Sequence, residues 1–127
     1  MIFLDTSIFI YAVGAPHPLR EPSREFFIEH ADRAADLVTS AEVLQELLHV
    51  YSRQSRWATL DAALRLATSL PTIVAVTEAD VLLARSLVTD HPTLDARDLL
   101  HLACCRRHGI TAIKTHDTQL AAAVNTP

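Results

Sequence analysis

The chain has 127 residues, half of them hydrophobic and a fifth charged, with a formal net charge of −4. This length accommodates one globular domain and leaves no room for a second, so we expect a single domain over residues 1–127. No apolar run approaches the roughly 18 residues of a membrane-spanning helix, and the N-terminus lacks the basic segment of a signal peptide. We therefore expect a cytoplasmic protein with no membrane partner.

The acidic balance at first argues against a nucleic-acid-binding protein, because such domains are usually strongly basic. If four of the 15 acidic residues form a metal site, however, the remaining 11 balance the 11 basic residues. All the basic residues except Lys114 are arginines, whose planar guanidinium group suits phosphate contacts. Two glycines in the whole chain exclude a glycine-rich phosphate loop.

The chain opens with a short strand that leads into a helix. Ile2 to Leu4 form an apolar run typical of a buried strand. Asp5, Thr6 and Ser7 follow at once and are typical of a helix N-terminus. Asp5 is thus expected at the carboxyl end of a strand, where ligands and catalytic groups collect in open α/β sheets. Helix capping alone would also account for Asp5.

Further strands and helices alternate along the chain. Three prolines predict a loop over residues 14–22. Later strands are expected over residues 36–38, 72–76 and 110–114. Helices are expected over residues 8–12, 23–34, 41–53, from after 56 to about 70, from 77 to about 89, over 95–108 and after 117. This alternation predicts βαβ units and an α/β fold with a mostly parallel sheet.

For four other carboxylates, a structural role and a functional role are both open. Glu46 lies at the margin of the apolar face of its helix, half turned inward, which is costly unless something pairs with it. Asp95 and Asp98 form a plausible capping pair, but the helical wheel turns Asp98 toward the apolar face. Asp117 follows a strand and precedes a helix, as Asp5 does.

The coincidence of these carboxylates is the stronger indication, because parallel strands bring such positions to one edge of the sheet. Crowded carboxylates repel one another unless a cation neutralises them. Oxygen ligands without Cys or His favour Mg²⁺ or Mn²⁺, and such an ion can activate water for attack on a phosphodiester. His101, Cys105 and His108 have a spacing that suits zinc, but no second cluster completes four ligands. The adjacent Cys104 and Cys105 cannot bridge each other without distortion, consistent with a reducing cytoplasm.

Over nearly its whole length the chain resembles a PIN domain, and more narrowly a VapC-like ribonuclease toxin of a type II toxin–antitoxin system. The matching segments are the opening strand with LDTS, then TSAEVLQE, RDLLHLACCRRHG and TAIKTHDTQL. The resemblance implies a three-layer α/β/α sandwich around a parallel sheet of four to five strands. The acidic positions that it implies are Asp5, Glu46, Asp98 and Asp117, with Thr6 and Thr115 as supporting hydroxyls.

The resemblance also implies an activity and partners. Asp5 and Asp98 would bind the principal Mg²⁺ or Mn²⁺, and Glu46 and Asp117 would complete its shell or hold a second ion. A metal-activated water would cut structured RNA of the tRNA or rRNA class, leaving a 5′-phosphate and a 3′-hydroxyl. The partners would be a small antitoxin and a second copy in a homodimer.

Some features depart from the family pattern. Asp95 and Glu42 are additional carboxylates that could support or replace the assigned ligands. The chain ends soon after its last helix, so a fifth strand is expected to be missing or reduced to a few residues near Val124.

Two alternatives remain. One is a receiver-like Mg²⁺-binding phosphoacceptor domain, for which Lys114 would be the late lysine, although such domains expect paired acids where this chain has Leu4 and Asp5. The other is a catalytically inactive PIN domain that serves as a binding module.

Overall fold

A four-stranded parallel sheet forms the centre of the computed structural model, which describes residues 1–126. In chain order the strands are β1 (Ile2–Leu4), β2 (Leu37–Ser40), β3 (Thr72–Val74) and β4 (Ala112–Lys114). Their order across the sheet is β3-β2-β1-β4. The helices are α1 (Thr6–Val13), α2 (Arg20–His30), α3 (Ala41–Arg53), α4 (Trp57–Ser69), α5 (Glu78–Leu87), α6 (Ala96–Arg107) and α7 (Thr118–Asn125). The α/β fold with a parallel sheet predicted from the sequence is confirmed.

The strand order separates the helices into two groups. The chain moves outward from β1 to β2 and β3, and then crosses back to place β4 on the other side of β1. Because parallel crossovers are right-handed, this reversal puts α1–α4 on one face and α5–α6 on the other. Accordingly α1 packs against α2, α3 and α4, whereas α6 packs against α5 and α7. The sheet is therefore the middle layer of three.

The two inner strands, β1 and β2, are the buried part of the sheet. Phe3 and Leu4 are fully buried, and α1 continues the core directly with Ile8 and Phe9. The reversal of strand order occurs at β1, between β2 and β4. In such sheets a crevice opens at the carboxyl ends of the strands on either side of the reversal. Asp5 follows β1 at this point, and residues 115–117 follow β4.

Several predicted boundaries need correction. The loop expected over residues 14–22 is too long, because α2 begins at Arg20. Pro22 lies in the first turn of that helix, where a backbone N–H has no helical acceptor. The helix expected over residues 23–34 ends at His30 and continues as a 3₁₀ helix, Ala31–Asp36.

Two strands are also shorter than expected, and the C-terminal segment is helical. Of the residues expected in β3 and β4, 75–76 and 110–111 lie outside the strands. After α6 the chain turns at Gly109, with φ of +66°, and the Ile110 N–H donates to the Cys105 carbonyl at 2.8 Å. Val124 is buried within α7, so the described part of the chain contains no fifth strand.

Within residues 1–126, no helix is both long enough and apolar enough to cross a bilayer.

Candidate active site

Asp5 lies at the junction of β1 and α1, close to the end of β4. Its backbone N–H donates to the Lys114 carbonyl at 3.1 Å, which extends the pairing of β1 and β4 by one residue. The residue is 6% exposed, and its side chain makes no capping hydrogen bond with α1. Instead, Oδ2 accepts hydrogen bonds from Thr115 Oγ1 at 2.6 Å and from Ser7 Oγ at 3.2 Å. Helix capping therefore does not explain Asp5.

Glu46 is buried on α3, and both of its carboxylate oxygens have partners. Thr6 Oγ1 donates to Oε2 at 2.6 Å, and His101 Nε2 lies 2.8 Å from Oε1. Burial by itself raises the pKa of Glu46, but these hydrogen bonds and the charges of His101 and Arg97 outweigh burial, so the pKa is lowered. The sequence-based expectation that an inward-turned glutamate needs a partner is confirmed.

His101 connects α6 to the other two elements of the site. It is 1% exposed, and its Nε2 lies 3.6 Å from Asp5 Oδ1 as well as 2.8 Å from Glu46. Since an ionised carboxylate can only accept, Nε2 carries the proton and donates to Glu46. Burial lowers the pKa of His101, but the hydrogen bond to Glu46 and the charges of Glu46, Asp5 and Asp98 raise it above its ordinary value. Ligand atoms of Asp5, Glu46 and His101 all lie within 4.8 Å of one another.

The sequence indicated His101 only through its spacing to Cys105. A signal for its actual place was available, because His101 follows Asp98 by three residues and so lies on the same side of the helix. Its partner Glu46, however, is 55 residues away in the sequence. No local pattern specifies that contact.

Asp95 and Asp98, which the sequence could not separate, have different roles in the structure. Asp95 is the exposed N-cap of α6, and its Oδ1 accepts from the Asp98 backbone N–H at 2.9 Å. The Asp98 carboxylate is half-buried and has no hydrogen-bond partner within residues 1–126. Burial, followed by the negative charges of Asp95, Asp117 and Asp5, raises the pKa of Asp98 to about 7. Asp98 is therefore turned partly inward, as the helical wheel predicted, and the charges of three other carboxylates reach it.

Asp117 caps α7 at the margin of the same edge. Its Oδ1 accepts from the backbone N–H groups of Gln119 and Leu120, at 2.9 and 3.1 Å. Its own backbone N–H donates to Thr115 Oγ1 at 3.0 Å. Asp117 is thus a helix cap whose charge still reaches Asp98.

Glu42, the other additional carboxylate, lies one turn before Glu46 on α3. Burial and the charge of Glu46 raise the pKa of Glu42.

The donor set fits a hard divalent cation. Within residues 1–126, no Lys or Arg forms an ion pair with Asp5, Glu46, Asp98 or Asp117. The raised pKa of Asp98 shows the cost of this uncompensated negative charge. The oxygen atoms of carboxylates are the ligands that Mg²⁺ and Mn²⁺ prefer. We call Asp5, Glu46, Asp98 and Asp117, together with His101, the acidic edge.

The model of the PIN domain family matches residues 2–125. The chain belongs to the PIN domain family. It is 57% identical over 126 residues to the ribonuclease VapC23 of Mycobacterium tuberculosis, covering 97% of this chain and 98% of that one. It is also 35% identical over 127 residues to the ribonuclease VapC7 of the same organism, covering 95% and 85% of the two chains. The chain thus groups with the VapC ribonucleases.

Solved structures give the same fold at lower sequence identity. The VapC20 toxin of M. tuberculosis superposes with a TM-score of 0.83 at 20% identity, covering 97% of this chain and 95% of that one. VapBC2 of Rickettsia felis, solved with a DNA fragment, superposes with a TM-score of 0.75 at 19% identity, covering 97% and 93%. The PIN resemblance inferred from the sequence motifs is confirmed, and the receiver-domain alternative is wrong.

Proposed function

We propose that this protein is a metal-dependent endoribonuclease and the toxin of a type II toxin–antitoxin pair. The observation that carries the proposal is the acidic edge, where acidic side chains from separate elements lie together and, within residues 1–126, have no Lys or Arg ion-pair partner. Its position at the reversal of strand order is the usual place for catalysis in a parallel sheet. The 57% identity to a VapC ribonuclease supports the same activity.

In this proposal Asp5 and Asp98 hold the principal Mg²⁺ or Mn²⁺, and Glu46 and Asp117 complete its shell or hold a second ion. Such a cation, when bound, activates water and stabilises charge on a phosphodiester. The carboxylates converge on one place in the fold, and Asp98 in particular offers oxygens that no protein group occupies within the described residues.

The chain's own hydrogen bonds orient these acids. Thr115 and Ser7 both donate to Oδ2 of Asp5, while Oδ1 lies on the side of His101. Thr6 and His101 each donate a hydrogen bond to a different carboxylate oxygen of Glu46. Groups of this kind fix the direction of a metal ligand and keep it ionised. We assign Thr6, Thr115 and His101 this positioning role.

Asp98 is the acid on which protons and cations compete. With a pKa of about 7 it is partly protonated near neutral pH. Binding of a divalent cation therefore requires loss of that proton, and the apparent metal affinity falls as the pH drops below neutrality.

We further propose a structured RNA of the tRNA or rRNA class as the substrate, a small antitoxin as the partner, a homodimer and a cytoplasmic location. The VapC20 structure, which shares the fold, is described as a toxin that cleaves the sarcin–ricin loop. The other matched structures include a VapBC protein and the FitAcB protein of Neisseria gonorrhoeae.

The test is incubation of antitoxin-free protein with total bacterial RNA plus Mg²⁺ or Mn²⁺, alongside EDTA. Asp5→Asn removes a proposed ligand, and Asp61→Asn removes an exposed acid on α4 as a matched control. Discrete fragments with 3′-hydroxyl ends, produced with metal by the wild type and Asp61→Asn alone, support the proposal. Intact RNA in every lane contradicts the nuclease function, and equal cleavage by Asp5→Asn contradicts the site.

A further inference from the structure

A groove lined by both polar and apolar residues runs along the second half of α3. Two clefts, of about 460 and 220 Å³, adjoin here and share Val50 and Gln54 in their linings. Arg53 and Arg97 line the larger cleft, and Tyr11 and His17 line the smaller one. We call the two clefts together the α3 groove.

One end of the α3 groove carries positive charge that the fold does not use. Arg53 and Arg97 are both exposed, and neither forms an ion pair with a carboxylate in the described chain. Arg97 directly precedes Asp98, and its charge lowers the pKa of Glu46, so it lies close to the acidic edge. Guanidinium groups left free beside a phosphodiester-cleaving site are well suited to bind backbone phosphates.

The other end of the groove carries aromatic rings. The centroid of the Tyr11 ring lies 4.6 Å from the centroid of the His17 ring and 5.2 Å from that of the His116 ring. His116 is flanked by Thr115 and Asp117, so this end also adjoins the acidic edge.

His17 is held in place before any ligand arrives. It stands between Pro16 and Pro18, which restrict the backbone, and its Nδ1 accepts from the Leu19 backbone N–H at 3.0 Å. Its ring packs against that of Tyr11 at an angle of 35° between the ring planes, and the residue is exposed to solvent.

We propose that the α3 groove holds the RNA strand next to the scissile phosphate, with Arg53 and Arg97 binding backbone phosphates and the exposed ring of His17 stacking on a base. This inference rests on the proposed ribonuclease function and adds a binding site to it. A cationic track combined with an aromatic surface is the arrangement that binds unpaired strands, whereas duplex RNA is contacted mainly through its backbone and shape. The strand in the groove is therefore unpaired.

The test is fluorescence anisotropy with a labelled single-stranded RNA of about twelve nucleotides. All variants are made in an Asp98→Asn background with Mg²⁺ present, and gels verify that the probe stays intact. The groove pair is Arg53→Gln with Arg97→Gln. The control pair is Arg33→Gln with Arg65→Gln, two exposed arginines that do not line the groove and that carry the same charge.

The groove pair should weaken binding on the order of tenfold and reduce the slope of log K against log salt by about 1.4, since each single-strand phosphate contact contributes about 0.7. The control pair should leave the slope unchanged. Equal effects of both pairs, or no effect of the groove pair, would overturn the proposal.

The stacking contact has its own test. His17→Ala should weaken binding about fivefold or more without changing the salt slope, because a stacking contact releases no counterions. The matched control is His108→Ala, an exposed histidine just after α6. If both histidine variants bind alike, the stacking half of the proposal is wrong.

Failure of the groove can be told apart from failure of the nuclease. If the protein without the Asp98 change cuts RNA but the groove pair binds as its parent does, the groove assignment alone fails. If that protein cuts no RNA while the groove pair still loses affinity and salt slope, RNA binding in the groove stands and the nuclease proposal fails.

Discussion

The protein contains buried or half-buried carboxylates in two regions, and they are handled in opposite ways. Between α5 and α6, Asp80 is fully buried and accepts from Arg107 Nη1 and from the Thr77 backbone N–H, each at 2.8 Å. At the acidic edge, Asp98 is half-buried, and its carboxylate has no hydrogen-bond partner in the described chain. One acid has a cation built into the fold, and the other has none.

The pKa values follow this difference. Burial raises the pKa of Asp80, but the bonds and charge of Arg107 and the bonds from Thr77 outweigh it, so the pKa is lowered. For Asp98, burial and three neighbouring carboxylates act in the same direction and raise the pKa to about 7. Asp80 thus joins two helices as a neutralised pair, whereas the acidic edge retains a negative charge that an external cation can balance.

The largest expected effect is a loss of RNA cleavage when an acid of the acidic edge, rather than the Asp80–Arg107 pair, is changed. Asp98→Asn keeps the shape of the side chain but removes a proposed metal ligand, and we expect cleavage to fall by more than about a hundredfold. Loss of a group that merely orients a ligand already costs about 10- to 100-fold. Initial cleavage rates on total RNA measure this effect. Normal cleavage by a folded Asp98→Asn protein would place catalysis elsewhere.

His101 should act through Glu46, and the size of its effect depends on the replacement. We expect His101→Leu to raise the Mn²⁺ concentration for half-maximal cleavage about 10- to 100-fold, because Glu46 loses the donor that orients it. His101→Gln retains a donor of similar reach and should recover part of the loss. A merely structural role would instead lower the thermal stability of both variants and leave the half-maximal concentration unchanged.

Arg107→Met should have the opposite profile to Asp98→Asn. It leaves Asp80 buried without its cation, and we expect the free energy of unfolding to fall by about 2–3 kcal/mol, measured by urea denaturation. The estimate lies below the range of about 3–5 kcal/mol for fully buried pairs because the Arg107 side chain is 37% exposed. The cleavage rate well below the melting temperature should stay unchanged. A large loss of activity without loss of stability would contradict the contrast.

The smallest expected effect is a pH dependence of stability. Since the pKa of Asp98 in the folded protein is raised from 3.8 to about 7, the folded state binds a proton more tightly than the unfolded state. The metal-free protein therefore loses stability as the pH rises from about 4 to about 7, and Asp98→Asn lacks this loss. We expect the melting temperature of Asp98→Asn minus that of the wild type to grow by about 3 °C between pH 5 and pH 8 in EDTA. A constant difference would show that the Asp98 carboxyl is not desolvated.

The fold was largely predictable because its signals are local. Apolar runs marked all four strands, and the helices expected to begin at residue 77 and to end at residue 108 lie within a residue of α5's start and α6's end. The start of α2 was missed because Pro22 suggested a loop, although proline is compatible with a first helical turn.

The sequence indicated the acids of the candidate site but not the contacts between them. Asp5 and Asp98 could be singled out because each lies near the start of a helix, where a role as a helix cap is not the only role open to it. The bond between His101 and Glu46 joins residues far apart in the sequence, and so does the bond between Thr115 and Asp5. Such contacts depend on the strand order, which no single segment of the sequence specifies.

Calorimetric titration of Mn²⁺ into the metal-free protein tests the central claim most directly, because it asks whether the acidic edge binds the cation that the fold does not supply. The wild type and Arg107→Met, measured at a temperature where both are folded, should bind with similar affinity, and Asp98→Asn should bind at least tenfold more weakly. No binding by the wild type, or equal binding by Asp98→Asn, would contradict the account.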